Sequence, residues 1–457
     1  MTTARLELVW PGKDKFLLVP KDETGKPIWV KRDHPAASEV RLADFVGLVG
    51  EVPEDPYAAN LLFTGDSLDV LRILCEVPEY RAIYRGKVKL VYIDPPFNTG
   101  QAFEHYDDWM EHSTWLSFMR ERLLLIRDLL APDGSVWVHL DDAEQHRMRL
   151  LMDEVFGASA FAGTVIWRAA DTGNYDAKKF SFDANQIHVY GRQPDWRANG
   201  VERNAQQSSH YSNPDDDPRG PWFDGNPLGS PNPRENLMYD LVSPQGHTVR
   251  HPPNGWRWSR ETLESKMASG EVRFNPAGTR IIYRTYLFEQ RALPPSTLWD
   301  DTDITGSNRK AKNELKRLFQ LGAKQVFATP KPEALLKRVI EVATEPGDVV
   351  IDCFAGSGST AAVAHKMGRR WVTSEILPTT VEQFTLPRLT KVVAGEDPGG
   401  ITKSACWEGG GGFRTVTVGP SMYEDTPFGV LLAEWATNGR FARAVAGQLG
   451  FEFQGDA

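Results

Sequence analysis

The feature that most constrains the fold is an alternation of short apolar strands with helices. Residues 60–74 predict a strand followed by a helix, and Asp66 or Ser67 is placed to cap that helix. The same pattern continues along the chain as a strand, a helix, a strand and a helix at 89–93, 113–134, 135–140 and 141–157. Strands that alternate with helices predict an α/β fold with a parallel sheet covered on both faces.

The alternation fades after residue 162 and resumes near residue 331. The stretch between is rich in Pro, Gly, Asn and aromatic residues, as expected of an inserted, loop-rich domain. One α/β domain is therefore predicted to be split by an insertion. The predicted organisation is an N-terminal extension at 1–59, the first part of the domain at 60–162, the insertion at 163–325, the second part at 326–392 and a C-terminal region at 393–457.

A glycine-rich turn follows the strand predicted at 348–354. Gly356 and Gly358 allow the backbone to turn sharply and to approach a ligand closely. Glu375 ends the next predicted strand, about twenty residues on, where a carboxylate can accept hydrogen bonds from two ribose hydroxyls. This layout predicts a nucleoside cofactor. The pattern also fits a dinucleotide, and a turn that only packs a helix on a strand is the structural alternative.

A second motif, Asp94-Pro95-Pro96-Phe97, ends the strand predicted at 89–93. The Asp94 carboxylate and the Pro95 carbonyl can accept the two N–H groups of an exocyclic amine, which directs the nitrogen lone pair at an electrophile. The fixed φ of proline holds that carbonyl rigidly, and Phe97 can stack on a base taken out of a duplex. Orientation and placed acceptors would supply the rate. A turn that merely ends a strand is the alternative.

Together these motifs resemble those of the DNA amino-methyltransferases that use S-adenosylmethionine. The (Asp/Asn/Ser)-Pro-Pro-aromatic motif precedes the Phe-x-Gly-x-Gly motif, with an insertion between them, as in the beta class, where the insertion recognises the target sequence. The resemblance extends to 64–71 and 329–340. It implies catalytic roles for Asp94, Pro95, Pro96 and Phe97. It implies a cofactor site formed by Asp66, Asp94, Lys331, Phe354, Ala355, Gly356, Ser357, Gly358 and Glu375.

Longer stretches near both motifs resemble the modification subunits of type III restriction–modification systems. This resemblance implies a Rossmann-like methyltransferase fold with a mixed, mostly parallel sheet, and methyl transfer to the N6 amine of adenine in double-stranded DNA. It also implies a restriction subunit and a second copy of the chain as partners. This chain is shorter than is usual for those subunits, which leaves both partners open. Position 97 carries Phe where Tyr is commoner, which keeps the stacking ring. N4-cytosine, RNA or protein amine methylation and a non-enzymatic DNA-binding role are the alternatives.

Composition and charge limit the other classes of function. The net charge is −9, but residues 163–320 contain 21 Lys and Arg against 19 Asp and Glu, so charge neither supports nor excludes DNA binding. No Cys follows a Pro, which excludes the cysteine chemistry of C5-cytosine methylation. The three cysteines are far apart, which argues against disulfides and zinc. No membrane span or secretory segment is predicted, so a cytoplasmic enzyme is expected.

Three further features have two interpretations each. The His139 and Asp141 region could ligate a metal, but a helix cap is favoured and no metal is predicted. The basic stretch at 309–318 could contact phosphates or form a solvated helix face. Residues 98–100 could close over a flipped base.

Overall fold

The computed structural model describes residues 7–20, 26–99, 102–103, 106–107, 110–173, 177–203, 208–224, 228–320, 322, 327–436 and 438–451. The chain divides into two compact units. The sheet unit comprises Met1–Asn199 with Pro295–Ala457, and the inserted unit comprises Gly200–Pro294. Within the described ranges, no helix combines the length and the apolar character needed to cross a membrane.

The strands are β1 Lys15–Val19, β2 Ile28–Lys31, β3 Ala43–Gly50, β4 Asn60–Thr64, β5 Val88–Ile93, β6 Ala102–Phe103, β7 Tyr106–Asp107, β8 Leu130–Leu140, β9 Phe161–Arg168, β10 Ala184–Gly191, β11 Trp222–Asp224, β12 Leu241–Val242, β13 Thr248–Val249, β14 Val272–Phe274, β15 Ile281–Tyr286, β16 Leu298–Trp299, β17 Val349–Asp352, β18 Arg370–Glu375, β19 Gly412–Val418, β20 Tyr423–Thr426 and β21 Gly429–Leu432.

The α-helices are α1 Ser67–Glu76, α2 Pro78–Tyr84, α3 His112–Leu129, α4 Gln145–Phe156, α5 Arg260–Ala268, α6 Thr302–Thr305, α7 Asn308–Phe319, α8 Glu333–Ala343, α9 Ser359–Lys366, α10 Pro378–Thr380, α11 Leu386–Val393 and α12 Asn438–Gln448. A π-helical turn, Val381–Thr385, joins α10 to α11. Short 3-10 turns lie at Pro35–Ser38, Pro56–Ala58, Ala158–Ala160, Glu235–Leu237 and Leu287–Glu289.

A ten-stranded sheet forms the centre of the sheet unit, in the order β16-β9-β10-β8-β5-β17-β18-β4-β19-β3. The six strands from β8 to β19 in this order are parallel to one another, whereas β10 and β3 run antiparallel to their neighbours. The sheet is thus mixed and mostly parallel, and the predicted α/β class is confirmed.

The central strands are rich in buried apolar residues, as expected of parallel strands with helices on both faces of the sheet. Leu61, Leu62 and Phe63 of β4 are all fully buried, as are Leu90 and Ile93 of β5. Burial of a side chain of this size contributes roughly 1.5–3 kcal/mol. These buried strands therefore hold the residues at their carboxyl ends in fixed positions.

Two helix boundaries differ from the prediction. Asp66 caps α1 as predicted, accepting the Leu68 N–H at 2.8 Å. α3 begins at His112, one residue before the predicted start, because the Glu111 carboxylate caps it by accepting backbone N–H groups at the start of the helix. α3 ends at Leu129, five residues early, because the chain there enters β8. Strand pairing with β5 overrides the local helical periodicity.

Several strands of the sheet come from segments predicted to lie outside the α/β domain. β10, β16 and all but the first two residues of β9 fall within 163–325, and β3 and β19 fall in the predicted N- and C-terminal regions. The compact inserted unit is correspondingly narrower, at Gly200–Pro294. Pairing between strands distant in sequence leaves no local signal, so composition alone does not locate these strands in the sheet.

The inserted unit has a small core of its own. Its strands form a three-stranded sheet, β11-β15-β14, and a hairpin, β12-β13. Trp256, Leu263, Val272 and Ile281 are buried together. Its aromatic residues therefore serve in part as core, as Trp256 and Trp222 show.

Candidate active site

The Asp-Pro-Pro-Phe segment lies where β5 ends, at the carboxyl edge of the parallel strands. Asp94 and Phe97 are half-buried there, directly after the fully buried Ile93. Trp115 of α3 donates its indole Nε1–H to the Pro96 carbonyl at 2.8 Å. This bond fixes the segment against α3. It also means that the Pro96 carbonyl already has a hydrogen-bond donor within the protein.

Lys331 contacts both ends of this segment, the Asp94 carboxylate and the Phe97 ring. Its Nζ lies 2.5 Å from Asp94 Oδ2 and 5.1 Å from the centre of the Phe97 ring. The Lys331 side chain is only 8% exposed. A charge-assisted bond in such a dry environment holds the carboxylate in one orientation. The structure therefore brings Lys331, predicted at the cofactor site, into contact with the Asp94 segment.

His139 lies beneath Phe97 and is completely buried. The two rings are nearly parallel, with centroids 6.0 Å apart. Its nitrogens face the Tyr92 hydroxyl at 2.8 Å and the Asn185 amide at 3.0 Å. Burial, and secondarily the charge of Lys331, lowers the pKa of His139 well below its usual value. His139 is thus a neutral packing partner of Phe97. Among the described residues, no His, Cys, Asp and Glu cluster is arranged to hold a metal.

The segment after Phe97 is anchored by Asn98. Asn98 has a φ of +61°, in the left-handed region. Its side chain donates to the buried Glu144 at 2.7 Å and accepts the Met110 N–H at 2.7 Å. Thr99 is exposed beside the cavity, and Gly100, the last residue of the predicted closing loop, lies outside the described residues.

The glycine-rich turn between β17 and α9 has the left-handed backbone that its sequence predicts. Gly356 has a φ of +50° and Gly358 one of +77°. A Cβ on Gly356 would lie 3.0 Å from the Phe327 ring. The Gly356 N–H donates to Glu375 Oε2 at 2.9 Å, and Thr385 donates its hydroxyl to the Gly356 carbonyl at 2.7 Å. The turn is therefore held open from both sides.

Two carboxyl groups flank this turn. Burial raises the pKa of Glu375, although backbone N–H groups of Leu377 and Gly356 oppose the shift. Burial raises the pKa of Asp352 to about 7, and the charges of Asp94 and Glu375 add to the shift. Asp352 ends β17 as Asp94 ends the neighbouring β5. A carboxylate at the carboxyl end of a neighbouring central strand is the signal from which Asp352 could have been predicted. The sequence analysis did not identify this residue.

Asp66 is held by an arginine that the sequence analysis also missed. Arg122 Nη2 lies 2.8 Å from Asp66 Oδ1 and 2.9 Å from Oδ2. The guanidinium stacks on the Phe118 ring at 3.4 Å and is almost fully buried. Arg122 therefore fixes the position of the Asp66 carboxylate.

A single cavity of about 490 Å³ brings the two motifs together within the sheet unit. Gly358 does not line it but begins helix α9 behind it. The predicted residues that line the cavity are Asp66, Asp94, Pro95, Pro96, Phe97, Lys331, Phe354, Ala355, Gly356, Ser357 and Glu375.

A buried ion cluster supports the cavity from behind. Glu333 follows Lys331 by two residues and accepts Lys366 Nζ at 2.7 Å and Arg388 Nη2 at 2.9 Å. Lys366 also pairs with Asp397 at 2.6 Å. Arg388 donates to Ser359 of the glycine-turn helix at 2.6 Å. The cluster thus ties the Lys331 segment to the turn.

Comparisons with known proteins identify relatives of this chain. The chain is 29% identical to the probable type III restriction-modification enzyme HindVI Mod subunit of Haemophilus influenzae, over 83% of this chain and 57% of that protein. It is 31% identical to the StyLTI Mod subunit of Salmonella typhimurium, over 67% of this chain and 50% of that protein. The chain thus spans about half the length of the curated relatives it matches.

A solved structure and a family profile complete the comparison. The PvuII DNA methyltransferase (cytosine-N4-specific) aligns over 74% of this chain and 90% of its own length, with 16% identity and a TM-score of 0.40. The profile of the N6/N4 DNA methylases matches residues 88–385, a range that includes both motifs of the cavity. The chain therefore belongs to the N6/N4 DNA methylase family.

Proposed function

We propose that the chain is a site-specific DNA methyltransferase that transfers a methyl group from S-adenosylmethionine to the N6 amine of an adenine turned out of the duplex. The observation that carries the proposal is the shared cavity, lined by the Asp94–Phe97 segment and by the Gly356 turn with Glu375. Direct transfer requires that a base site and a nucleoside site meet at one point. Family membership supports the same conclusion.

The target amine is held by Asp94 and Pro95 in this proposal. The Asp94 carboxylate accepts one amine N–H and the Pro95 carbonyl accepts the other, since Trp115 already occupies the Pro96 carbonyl. Two fixed acceptors draw the nitrogen toward tetrahedral geometry and aim its lone pair at the methyl donor. The amine loses a proton to solvent after it gains the methyl group, so a strong base is not required.

Phe97 holds the plane of the base. Its ring is supported by the neutral His139 and by the Lys331 ammonium. A rigid aromatic surface stacks on any base, with a contribution of about 1–3 kcal/mol. Phe97 thus keeps the extruded adenine in the plane in which Asp94 can accept its N–H.

The residues of the turn fit S-adenosylmethionine. Gly356 leaves room that a Cβ would fill, so backbone can lie against the ligand. Glu375 accepts the ribose hydroxyls, and Asp66, held by Arg122, lies at the same cavity. When bound, S-adenosylmethionine supplies an electrophilic methyl group on a sulfonium. The chain orients that group toward Asp94 and excludes water.

The inserted unit, Gly200–Pro294, is proposed to read the DNA sequence, with double-stranded DNA as the substrate. The two Mod relatives support a restriction–modification setting, with a restriction subunit as partner. A cytoplasmic location belongs to the proposal. A homodimer is part of the same proposal.

The test is expression of the chain in a bacterial host that lacks DNA methylation. Long-read sequencing of its genome detects modified bases directly. N6-methyladenine at one recurring sequence is the expected result. Methylcytosine would assign the N4 reaction instead, and an unmodified genome with folded protein that binds S-adenosylmethionine would contradict DNA methylation by this chain alone.

A further inference from the structure

Two phenylalanines are exposed in one short segment of the sheet unit, between β9 and β10. Phe180 is 82% exposed and Phe182 is 74% exposed. They alternate within the run Lys178-Lys179-Phe180-Ser181-Phe182. Single exposed apolar side chains are ordinary on a protein surface. Two large exposed rings within five residues of sequence indicate an interaction site.

The register of the sheet locates this segment at the edge that carries Asp94. β8 runs parallel to β5, and β10 runs antiparallel to β8, so β10 begins at the edge where β5 ends. Arg168, the last residue of β9, lies opposite Ala184, the first residue of β10. The described residues of the connection between them, 169–173 and 177–183, therefore lie at the carboxyl edge of the parallel strands.

Side-chain contacts also link this connection to Phe97. Asn185, the second residue of β10, faces His139 Nε2 at 3.0 Å. The His139 ring in turn stacks with Phe97. The strand that follows the exposed phenylalanines is thus linked through Asn185 and His139 to Phe97 of the proposed base site.

The base of the connection is held by hydrogen bonds. Asp183 O accepts the backbone N–H groups of Ala169 at 2.8 Å and Ala170 at 3.1 Å. The start of α7 is joined to it, because Asn308 donates its N–H to Ala169 O at 2.9 Å. Arg309 and Asp171 form an ion pair at 2.6 Å. The two rings are therefore presented on a fixed support.

The charges around the rings match a polyanion. Lys178 and Lys179 are exposed beside them, and Lys312 is exposed on α7, which the Asp171 ion pair ties to the same connection. Among the described residues of the connection, Asp171 pairs with Arg309 and the Asp183 carboxylate accepts the Ser181 hydroxyl. Exposed rings flanked by cations fit nucleic acid, whose stacked bases lie between rows of phosphates.

We infer that Phe180 and Phe182 form an apolar wedge that enters the DNA duplex beside the extruded adenine, while Lys178 and Lys179 contact the phosphates. This inference rests on the proposed function. Removing a base from the stack costs a few kcal/mol, and an inserted aromatic ring offsets part of that cost by stacking on the bases left behind. The wedge would therefore assist extrusion and leave the chemistry of Asp94 unchanged.

The test compares two duplexes that carry the recognition sequence, one fully paired and one with an abasic site opposite the target adenine. The variant is Phe180→Ala/Phe182→Ala, and the matched control is Phe428→Ala, which removes a ring that is 90% exposed on the β20–β21 turn. Methyl transfer by the double variant should fall about tenfold or more on the paired duplex. On the abasic duplex, where extrusion costs little, it should come within about threefold of the wild-type rate.

The outcomes are separable from failure of the proposed function. Equal losses on both duplexes, or no loss on either, would overturn the wedge, and the second result would suit a protein-binding surface instead. A wild-type chain that methylates neither duplex would contradict the proposed function. Binding of the paired duplex, measured by fluorescence anisotropy, then still tests the wedge. The double variant should bind about tenfold more weakly than Phe428→Ala, and equal affinity would refute it.

Discussion

Lys331 and Asp94 form an ion pair although 237 residues separate them in the sequence. Asp94 directly follows β5 in the part of the domain before the insertion, and Lys331 precedes α8 in the part after it. The ion pair therefore links the two parts of the split domain at the proposed active site. Each partner depends on the other for its orientation.

Replacement of Lys331 by Met should lower kcat/KM about 10- to 100-fold, because the Asp94 carboxylate loses the charge-assisted bond that orients it. The fold should persist, since Met retains most of the side-chain volume. Lys337→Met is the control, as Lys337 makes only a partly exposed pair on the next helix. Steady-state methylation assays measure both. Equal rates for the two variants would show that the ion pair has no role in transfer.

Replacement of Gly356 by Ala should weaken S-adenosylmethionine binding at least about tenfold, because the new Cβ meets the Phe327 ring at the cavity. Gly368→Ala is the matched control. Gly368 also has a positive φ, of +70°, but a Cβ there meets nothing within 4 Å. Both variants should lose about 1–2 kcal/mol of stability from backbone strain. Calorimetric titration gives the affinities, and unchanged binding by Gly356→Ala would remove the turn from the cofactor site.

Asp352 should make stability fall as the pH rises. Its pKa in the folded state is raised from 3.8 to about 7, so the folded state holds a proton that the unfolded chain releases. The resulting loss of stability grows between these two pH values and is complete above about 7. Asp352→Asn removes it and keeps an acceptor for the Phe354 N–H. Relative to the wild type, this variant should gain about 2–3 kcal/mol in unfolding free energy between pH 5 and pH 8.

Urea denaturation at the two pH values measures this difference. Asp142→Asn, at an exposed carboxylate, is the control and should shift by the same amount at both pH values. A pH-independent effect of Asp352→Asn would mean that Asp352 is ionised throughout this range in the folded protein.

Glu333→Gln should destabilise the protein by about 3–5 kcal/mol, because Lys366 and Arg388 would remain buried without their shared carboxylate. Glu341→Gln on the same helix removes a partly exposed pair and should cost less than about 1 kcal/mol. Urea denaturation compares the two. Similar losses would show that the buried cluster does not support the fold as proposed.

The two motifs could be predicted from the sequence because their information is local. Prolines 95 and 96 and the glycines of the turn restrict their own backbone, and Asp66 caps the helix that follows it. Their meeting in one cavity follows from the parallel sheet, in which the carboxyl ends of all strands lie at one edge.

The rest depends on contacts between distant segments, which leave no local pattern. Arg122 meets Asp66 across 56 residues, and Lys366 meets Glu333 across 33. The pairing of β19 with β4 and β3 joins regions predicted to be separate. The exposure of Phe180 likewise has no signature in composition, because a ring in the sequence is more often core than surface.

The central claim is that Asp94 and the Gly356 turn transfer a methyl group to adenine within one cavity. The most direct measurement incubates purified wild-type chain and Asp94→Ala with isotopically methyl-labelled S-adenosylmethionine and duplex DNA of diverse sequence. Mass spectrometry of the digested nucleosides then identifies the labelled base, while calorimetry follows cofactor binding. We expect labelled N6-methyladenine from the wild type only, with cofactor affinity retained by Asp94→Ala. Near-normal labelling by Asp94→Ala, or no labelled adenine from a wild-type chain that binds the cofactor, would contradict the claim.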